Sequence, residues 1–301
     1  MPTNKGSFKL FKIADITVYV HWSWFLILLY VVQISDKTPS SLTLSILGLL
    51  TLFLIVLMHE FGHALACKQV GGQANQIVLW PLGGVAYVAP PQRPGAMLWS
   101  IAAGPLVNVV LFSAATIFLI IGNISGLSAQ VPFLWDYIGI FAYINLILLK
   151  FNLLPIFPLD GGQILRSLLW FKFGKARSMM IATIIGFIGI AIMIPYIITQ
   201  NNNWYYILAA FIAFNCWSGF KQAQILMRVA KIPRREGFAC PSCKTAPPLG
   251  ALWRCGQCGN AFDMFATNAT CPHCSAQYNL IPCLDCGTRH APGDWKNAER
   301  Q

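Results

Sequence analysis

Three ionisable side chains stand close together in an otherwise apolar stretch, LIVLMHEFGHALA at residues 54–66. His59 and His63 are four residues apart, so a helix presents both imidazoles on one face, where they can bind one metal ion. Zinc suits imidazole nitrogen, and a catalytic zinc site takes three protein ligands and leaves one position for water. Glu60 is placed to act as general base toward that water. The spacing predicts a hydrolytic zinc centre that lacks one ligand.

The apolar surroundings make this pattern more informative than the same letters in a soluble chain. An acidic residue at the centre of a membrane helix costs about 2.5–3.5 kcal/mol on insertion scales, so such residues usually mark function or line a water-filled cavity. A soluble helix can carry a chance HExxH as surface polar residues, whereas a membrane helix does not tolerate it cheaply. A bound cation would supply the compensating charge.

The elements that must position these residues are long apolar helices. The chain of 301 residues is 56% hydrophobic and only 10% charged, against roughly 25% charged residues in an ordinary soluble domain. A bilayer core of ~30 Å needs about 20 residues of helix. The fold class is therefore predicted as an all-α polytopic membrane protein with about six transmembrane helices. The predicted spans are 16–34, 42–66, 97–121, 133–154, 178–199 and 204–227.

The net charge is +11, and the basic residues lie mainly in alternate loops, which are on the same predicted side of the membrane. Up to Arg235, every Lys and Arg except Lys37 falls in or beside loops on one predicted side of the membrane. The positive-inside rule then predicts cytoplasmic N- and C-termini in a bacterial or archaeal cytoplasmic membrane. Because the basicity orients the protein, nucleic acid is not expected as a partner. The first apolar run is too long for a secretory signal, and no small-x-small cleavage site follows it.

A third ligand is offered by NLLPIFPLDGG at residues 152–162. Its prolines end the fourth predicted helix, and the Gly161–Gly162 pair permits a tight turn. Asp160 is therefore held where the helix is broken. An aspartate before two glycines is often only a turn residue. However, the predicted second and fourth helices both run from outside to inside, so Asp160 emerges at the same membrane face as the histidines. This agreement favours Asp160 as the third ligand.

HEFGH followed by NLLPIFPLDGG resembles the paired signature of the site-2 proteases, peptidase M50-like zinc metalloproteases that cut within membranes. The resemblance covers about residues 14–225. It implies that His59, His63 and Asp160 bind the catalytic zinc and that Glu60 is the catalytic base. The chain has neither the ~90 soluble residues of a PDZ domain between helices nor a pair of CBS modules, which regulate or select substrates in some members.

Two asparagines are also singled out by the resemblance. AAGPLVN at residues 102–108 is similar to the Gly-Pro-x-x-Asn stretch of the family, which implies that Asn108 and Asn152 position the substrate or its oxyanion. Hydrogen bonding between helices is the alternative role. VYVHWSWFL resembles the opening helix of the family, and His21 beside Trp22 is expected to anchor at the interface rather than to bind metal.

Two shorter features are predicted at the membrane boundary. Residues 76–88 contain two β-prone pieces around Pro81 and a Gly-Gly pair, which indicates a hairpin or a re-entrant loop. Such a hairpin would offer an edge to an extended substrate. Residues 163–173 mix basic and apolar residues at helical spacing, which favours an interfacial helix.

The composition changes near Ile232, so the chain is divided into a membrane domain at 1–232 and a soluble module at 233–301 joined by the linker KIPRREG. The module carries four CxxC knuckles, enough for two structural zinc sites of four cysteines each in a double zinc ribbon. Disulfides fit poorly in a reducing cytoplasm, and iron is a minority option. Sequential pairing of knuckles is favoured, and an interleaved cross-brace stays open. The knuckles are Cys240–Cys243, Cys255–Cys258, Cys271–Cys274 and Cys283–Cys286.

The role of this module is either structural or recognition of a protein partner or substrate, with four aromatic residues as candidate contacts: Trp253, Phe262, Phe265 and Tyr278. For the whole chain the sequence predicts an intramembrane zinc metalloendopeptidase that cleaves transmembrane segments of membrane proteins, with one catalytic and two structural zinc ions. The alternative is a zinc transporter or metal-sensing membrane protein. That alternative needs neither Glu60 directly after His59 nor a single aspartate at a proline-glycine break.

Overall fold

The structure is a computed structural model that describes residues 6–35, 39–80, 83–200 and 203–297. The chain forms helices and strands in an order that separates an N-terminal mixed region, a helical bundle and a C-terminal module. In chain order these elements are β1 (Ser7–Ile13), β2 (Ile16–His21), α1 (Trp24–Ile34), α2 (Pro39–Gln69), β3 (Gln73–Trp80), β4 (Gly83–Ala89), α3 (Pro94–Ile124), α4 (Leu127–Gln130), α5 (Pro132–Asn152), α6 (Asp160–Gln200), α7 (Asn203–Ala230), β5 (Trp253–Arg254), β6 (Ala261–Phe262), β7 (Ile281–Pro282), β8 (Arg289–His290) and α8 (Asp294–Asn297).

Four of the described helices are long and apolar enough to cross a bilayer: Leu42–Gln69, Pro94–Ile124, Pro132–Asn152 and Asp160–Thr199. The molecule is therefore an integral membrane protein with a mostly helical fold. The prediction of six spans is not confirmed. Helix α7 has 28 residues, but it is not among the described helices that are both long enough and apolar enough to cross a bilayer.

The first predicted span, 16–34, is wrong as a single helix. Residues 16–21 form strand β2, and α1 has only 11 residues, which span ~16 Å of a ~30 Å bilayer core. An apolar run does not by itself distinguish a buried strand from a helix. The β-branched and aromatic side chains of ITVYV suit a strand, and pairing with β3 decides the outcome.

The predicted hairpin at 76–88 is part of a larger mixed sheet, although Pro81 at its turn lies outside the described residues. Strands β3 and β4 pair antiparallel from Gln73↔Ala89 to Trp80↔Gly83, and the sheet order is β1-β2-β3-β4. Strand β2 is antiparallel to β1 and parallel to β3. The all-α description is therefore incomplete. One face of this sheet packs on α2, through buried residues of β2 and β3 that include Ile16, Ile77 and Leu79.

The bundle places α3 against α2, α5 and α6, and α7 against α6. Helix α6 is interrupted at Gly174, whose φ of 75° and ψ of 167° are not helical; a positive φ is cheap only for glycine. The predicted interfacial segment 163–173 thus lies on a separate first part of α6. Its surface position relative to a bilayer stays a prediction.

Candidate metal centre and cysteine clusters

Helix α2 carries His59, Glu60 and His63 as buried residues. The two imidazoles face each other because they are one helical turn apart, with 3.0 Å between their Nε2 atoms. Asp160 Oδ2 lies 2.9 Å from His59 Nε2 and 3.4 Å from His63 Nε2. Two imidazoles and a distant carboxylate thus converge on one point.

Asp160 reaches this point because it begins α6 directly after the loop 153–159. The two following glycines do not adopt a positive φ, so the predicted turn role is wrong for them. Their role is close packing instead. A Cβ on Gly161 would lie 2.3 Å from the Leu153 carbonyl oxygen, and one on Gly162 would lie 2.5 Å from the Ile156 carbonyl carbon.

The hydrogen bonds of the two rings fix where their lone pairs point. His63 Nδ1 lies 2.9 Å from the Ser100 carbonyl oxygen, which can only accept, so Nδ1 carries the proton. His59 Nδ1 donates in the same way to Asn108 Oδ1 at 2.9 Å. Both Nε2 atoms are then unprotonated acceptors, and Asp160 Oδ2 is a buried oxygen without a hydrogen-bond partner.

Three acceptors that converge without a donor repel one another unless a cation lies among them. Two imidazole nitrogens and one carboxylate oxygen match the ligand set of a catalytic zinc site with one open position. Hydrogen-bonded Nδ1 atoms are also the usual way in which ligating histidines are oriented. The residues present therefore fit Zn²⁺.

Gly104 of α3 packs directly against the two imidazoles at the point where the ligands converge. A Cβ there would lie 2.3 Å from His63 Nε2 and 2.8 Å from His59 Nε2. Any side chain would therefore occupy the space between the imidazoles. The sequence motif includes Gly104 only as part of a family stretch and gives no sign of this role.

Glu60 lies beside the three acceptors and faces strand β4. Its Oε2 accepts the backbone N–H of Ala86 at 2.8 Å. A Cβ on Gly84 would lie 2.3 Å from Glu60 Cγ, so the strand backbone and the carboxylate are in close contact. The sheet thereby holds the carboxylate that the sequence predicts as general base.

Asn108 is fully buried and contacts a predicted ligand rather than open space. Its side chain orients His59, and its own backbone carbonyl accepts a 2.7 Å hydrogen bond from Asn145 Nδ2. Asn145, also fully buried, was missed because a lone asparagine in an apolar helix carries no motif. Asn152 is the last residue of α5 and is partly buried. Its predicted substrate role stays a prediction.

The chain is similar to known proteins along the region that builds this centre. The model of peptidase family M50 matches residues 47–139 and 116–196. A zinc metalloprotease of Methanocaldococcus jannaschii is 34% identical over 212 residues, which is 69% of this chain and 59% of the relative. A solved site-2 protease from Methanocaldococcus jannaschii matches with a TM-score of 0.50 and 28% identity over 71% of this chain and 95% of that structure.

The chain belongs to peptidase family M50. The matched ranges contain both segments that supply the converging ligands. A relative in Synechocystis is 33% identical over 246 residues, 73% of this chain and 61% of that protein. The chain thus spans about three fifths of the length of these two curated relatives. The family match ends at residue 196, before α7 and the cysteine-rich module.

This M50 chain carries two further clusters of metal-binding residues, whose pairing differs from the sequence prediction. In the described part of the chain, the first knuckle meets the fourth and the second meets the third. The arrangement is nested, neither sequential nor cross-braced. The sulfur–sulfur distances are 3.7 Å for Cys240–Cys286 and Cys243–Cys283, 3.5 Å for Cys255–Cys274 and 3.7 Å for Cys258–Cys271.

Both clusters are tetrads of sulfur, the ligand set of a structural zinc site. Tyr278 supports one of them, because its phenol lies 3.0 Å from Cys255 Sγ and accepts the Gly256 N–H at 2.7 Å. Hydrogen bonds from the Cys258 backbone and from Tyr278 lower the pKa of Cys255 to about 5. Neutral pH therefore favours the thiolate form of Cys255.

The aromatic residues proposed as surface contacts are largely internal. Trp253 and Phe262 are buried in the core of the module, and Phe265 and Tyr278 pack against it. Trp295, fully buried, contacts Phe265 edge to face with 4.9 Å between the ring centroids. Trp253 and Phe262 are therefore wrong as candidate contacts, whereas the contact role of the partly buried Phe265 and Tyr278 stays a prediction. The small module uses its aromatic side chains to build a core between the two cysteine clusters.

Proposed function

We propose that this chain is an intramembrane zinc metalloendopeptidase that cleaves the transmembrane segments of membrane-protein substrates. The observation that carries the proposal is the convergence of His59, His63 and Asp160 on one point, with the carboxylate of Glu60 beside it. This arrangement is buried among helices that are apolar enough for a bilayer. It provides one hydrolytic centre rather than the series of ligands along a path that a zinc transporter would need.

The residues around this point have separate tasks in peptide hydrolysis. Zn²⁺ held by His59, His63 and Asp160 would supply Lewis acidity toward water and toward the scissile carbonyl. Glu60 takes a proton from the attacking water and returns it to the leaving amine. The Ala86 N–H holds Glu60 Oε2 in place for this transfer.

A substrate helix must be locally unwound because its carbonyls are held in i→i−4 hydrogen bonds. Strand β4 is one of the two outer strands of the sheet, and its backbone contacts Glu60. An extended substrate that pairs with this edge would have its backbone beside the general base. Strand addition is therefore our proposed route for presenting the scissile bond.

The positive-inside distribution supports a cytoplasmic membrane location with both termini inside. In that orientation the two cysteine clusters lie in the cytoplasm, each with one structural zinc ion. A module of this kind would serve as a rigid stabilising appendage or as a docking surface for a protein partner.

The central test is Glu60→Gln in the full chain, purified in detergent and reconstituted with a model single-span substrate. We expect the variant to keep the zinc content of the wild type, because the ligands remain. Cleavage should fall at least ~10³-fold, because the base is lost. Zinc content is measured by elemental mass spectrometry and cleavage by gel or mass spectrometry. Residual cleavage near the wild-type rate would contradict the proposal. Zinc flux into proteoliposomes that continues in this variant would favour the transporter.

A further inference from the structure

A stacked aromatic pair connects the end of β2 to the part of the sheet that faces Glu60. The rings of His21 and Trp80 lie 3.7 Å apart between centroids, with an interplanar angle of 13°. His21 is only 7% exposed, so it does not occupy the interfacial anchoring position that the sequence suggests. The sequence assigns it no role in the site.

The ring of His21 is held in one orientation. Its Nδ1 lies 2.5 Å from Ser23 Oγ and accepts the Ser23 backbone N–H at 3.3 Å. Ser23 is the N-cap residue that directly precedes α1. The stacked pair is therefore tied to the start of α1 as well as to β2.

The pairing of β3 with β4 connects the stacked rings to the metal centre. Trp80 is the last residue of β3 and pairs with Gly83, and the preceding pair is Leu79↔Gly84. The backbone of Gly84 is packed against the Glu60 side chain. A shift of the Trp80 ring would thus move the start of β4, whose Ala86 N–H holds the general base.

We propose that His21 is a positioning residue of the protease: by stacking on Trp80 it holds the start of β4 against Glu60. The inference rests on the proposed function for its effect on cleavage, but not for its effect on β4. The ring of His21 contacts Ser23, Trp22 and Trp80, none of which is a converging ligand. Its loss should therefore leave metal binding intact.

The test compares His21→Ala, His21→Phe and the control Phe25→Ala in the full zinc-loaded chain. Phe25 is an exposed aromatic residue of α1 whose ring contacts Phe8 rather than His21. Three quantities are measured: zinc content, amide hydrogen exchange of residues 83–89, and kcat and KM for a model transmembrane substrate. His21→Phe keeps a flat ring without Nδ1 and serves as the conservative variant.

For His21→Ala we expect unchanged zinc, exchange of 83–89 faster by about tenfold, and kcat lower by about ten- to a hundredfold, since small displacements of catalytic groups have effects of that size. His21→Phe should recover most of the exchange protection, and Phe25→Ala should resemble wild type. Unchanged exchange at 83–89, loss of zinc, or an unchanged kcat alongside faster exchange would each overturn the proposal. A wild-type chain that cleaves nothing contradicts the proposed function instead, and the exchange result still decides the stacking role.

Discussion

Gly104 contributes to the metal centre by having no side chain. The two imidazoles occupy the space where its Cβ would be, with 2.3 Å to His63 Nε2. Around it, Asn108 and the Ser100 carbonyl hold the Nδ1 protons and turn both lone pairs toward Asp160. At this scale the centre depends as much on groups that orient the ligands as on the ligands themselves.

Gly104→Ala should therefore remove the catalytic metal. The added methyl displaces both imidazoles, so we expect total zinc to fall by about one equivalent per chain while the cysteine sites stay loaded. Gly139→Ala in α5 is the matched control, because a Cβ there meets nothing within 4 Å. Elemental analysis of both variants checks this, and full zinc content in Gly104→Ala would contradict it.

At the scale of elements, the N-terminal sheet and α2 form one unit around Glu60. Strand β3 is central and pairs with β2 and β4, whereas β4 is an edge strand. The Ala86 N–H points to Glu60 instead of to β3. The edge strand thus has two separate connections, one to the sheet and one to the general base.

Ala86→Pro removes the N–H that holds Glu60 while leaving the ladder between β3 and β4 formed. We expect wild-type zinc content and a kcat lower by at least about tenfold, because the base loses its orientation. Ala86→Gly keeps this N–H, so it is the control and should retain activity. Single-turnover cleavage distinguishes these outcomes, and equal rates for both variants would refute the role of this hydrogen bond.

At the scale of the whole molecule, the cysteine module is fixed to the segment that follows α7 rather than loosely tethered. The predicted linker pairs with the module through Arg235 N–H to the Pro247 carbonyl and Leu249 N–H to the Pro233 carbonyl. Arg234 also forms a two-pronged ion pair with Asp285, at 2.7 and 3.2 Å. Because Asp285 lies inside the fourth knuckle, the linker joins directly to a metal-binding loop.

Arg234→Ala should loosen this attachment. A partly exposed, bidentate pair contributes about 1 kcal/mol, so hydrogen exchange of the Arg235 and Leu249 amides, which donate to the Pro247 and Pro233 carbonyls, should rise about fivefold. Arg254→Ala, at an exposed position on β5, should leave these rates unchanged. A rise of the same size in both variants would show that the ion pair has no specific role.

The nested pairing of knuckles predicts which cysteine substitutions share a metal. Cys240→Ser combined with Cys283→Ser affects one cluster and should remove about one zinc per chain. Cys240→Ser combined with Cys255→Ser affects both and should remove about two. The sequential arrangement predicts one zinc lost for the second combination. Zinc content of the two double variants therefore discriminates between the arrangements.

The sequence by itself determined the features that depend on local spacing. Two histidines four residues apart share a helix face, each CxxC knuckle is a short loop, and long apolar runs in the middle of the chain become the helices of the bundle. Asp160 was also predicted, because proline and glycine mark the helix break and the direction of successive helices gives its depth.

For the other distant segments, only the tertiary structure decided which of them meet. It determined that residues 16–21 become a strand, that the knuckles pair first with fourth, and that Asn145 and Gly104 surround the ligands. It also placed the aromatic residues of the module in a core. These outcomes depend on contacts between segments far apart in the chain, which residue spacing does not encode. An apolar run or a cysteine pair has the same local chemistry whichever partner the folded chain brings to it.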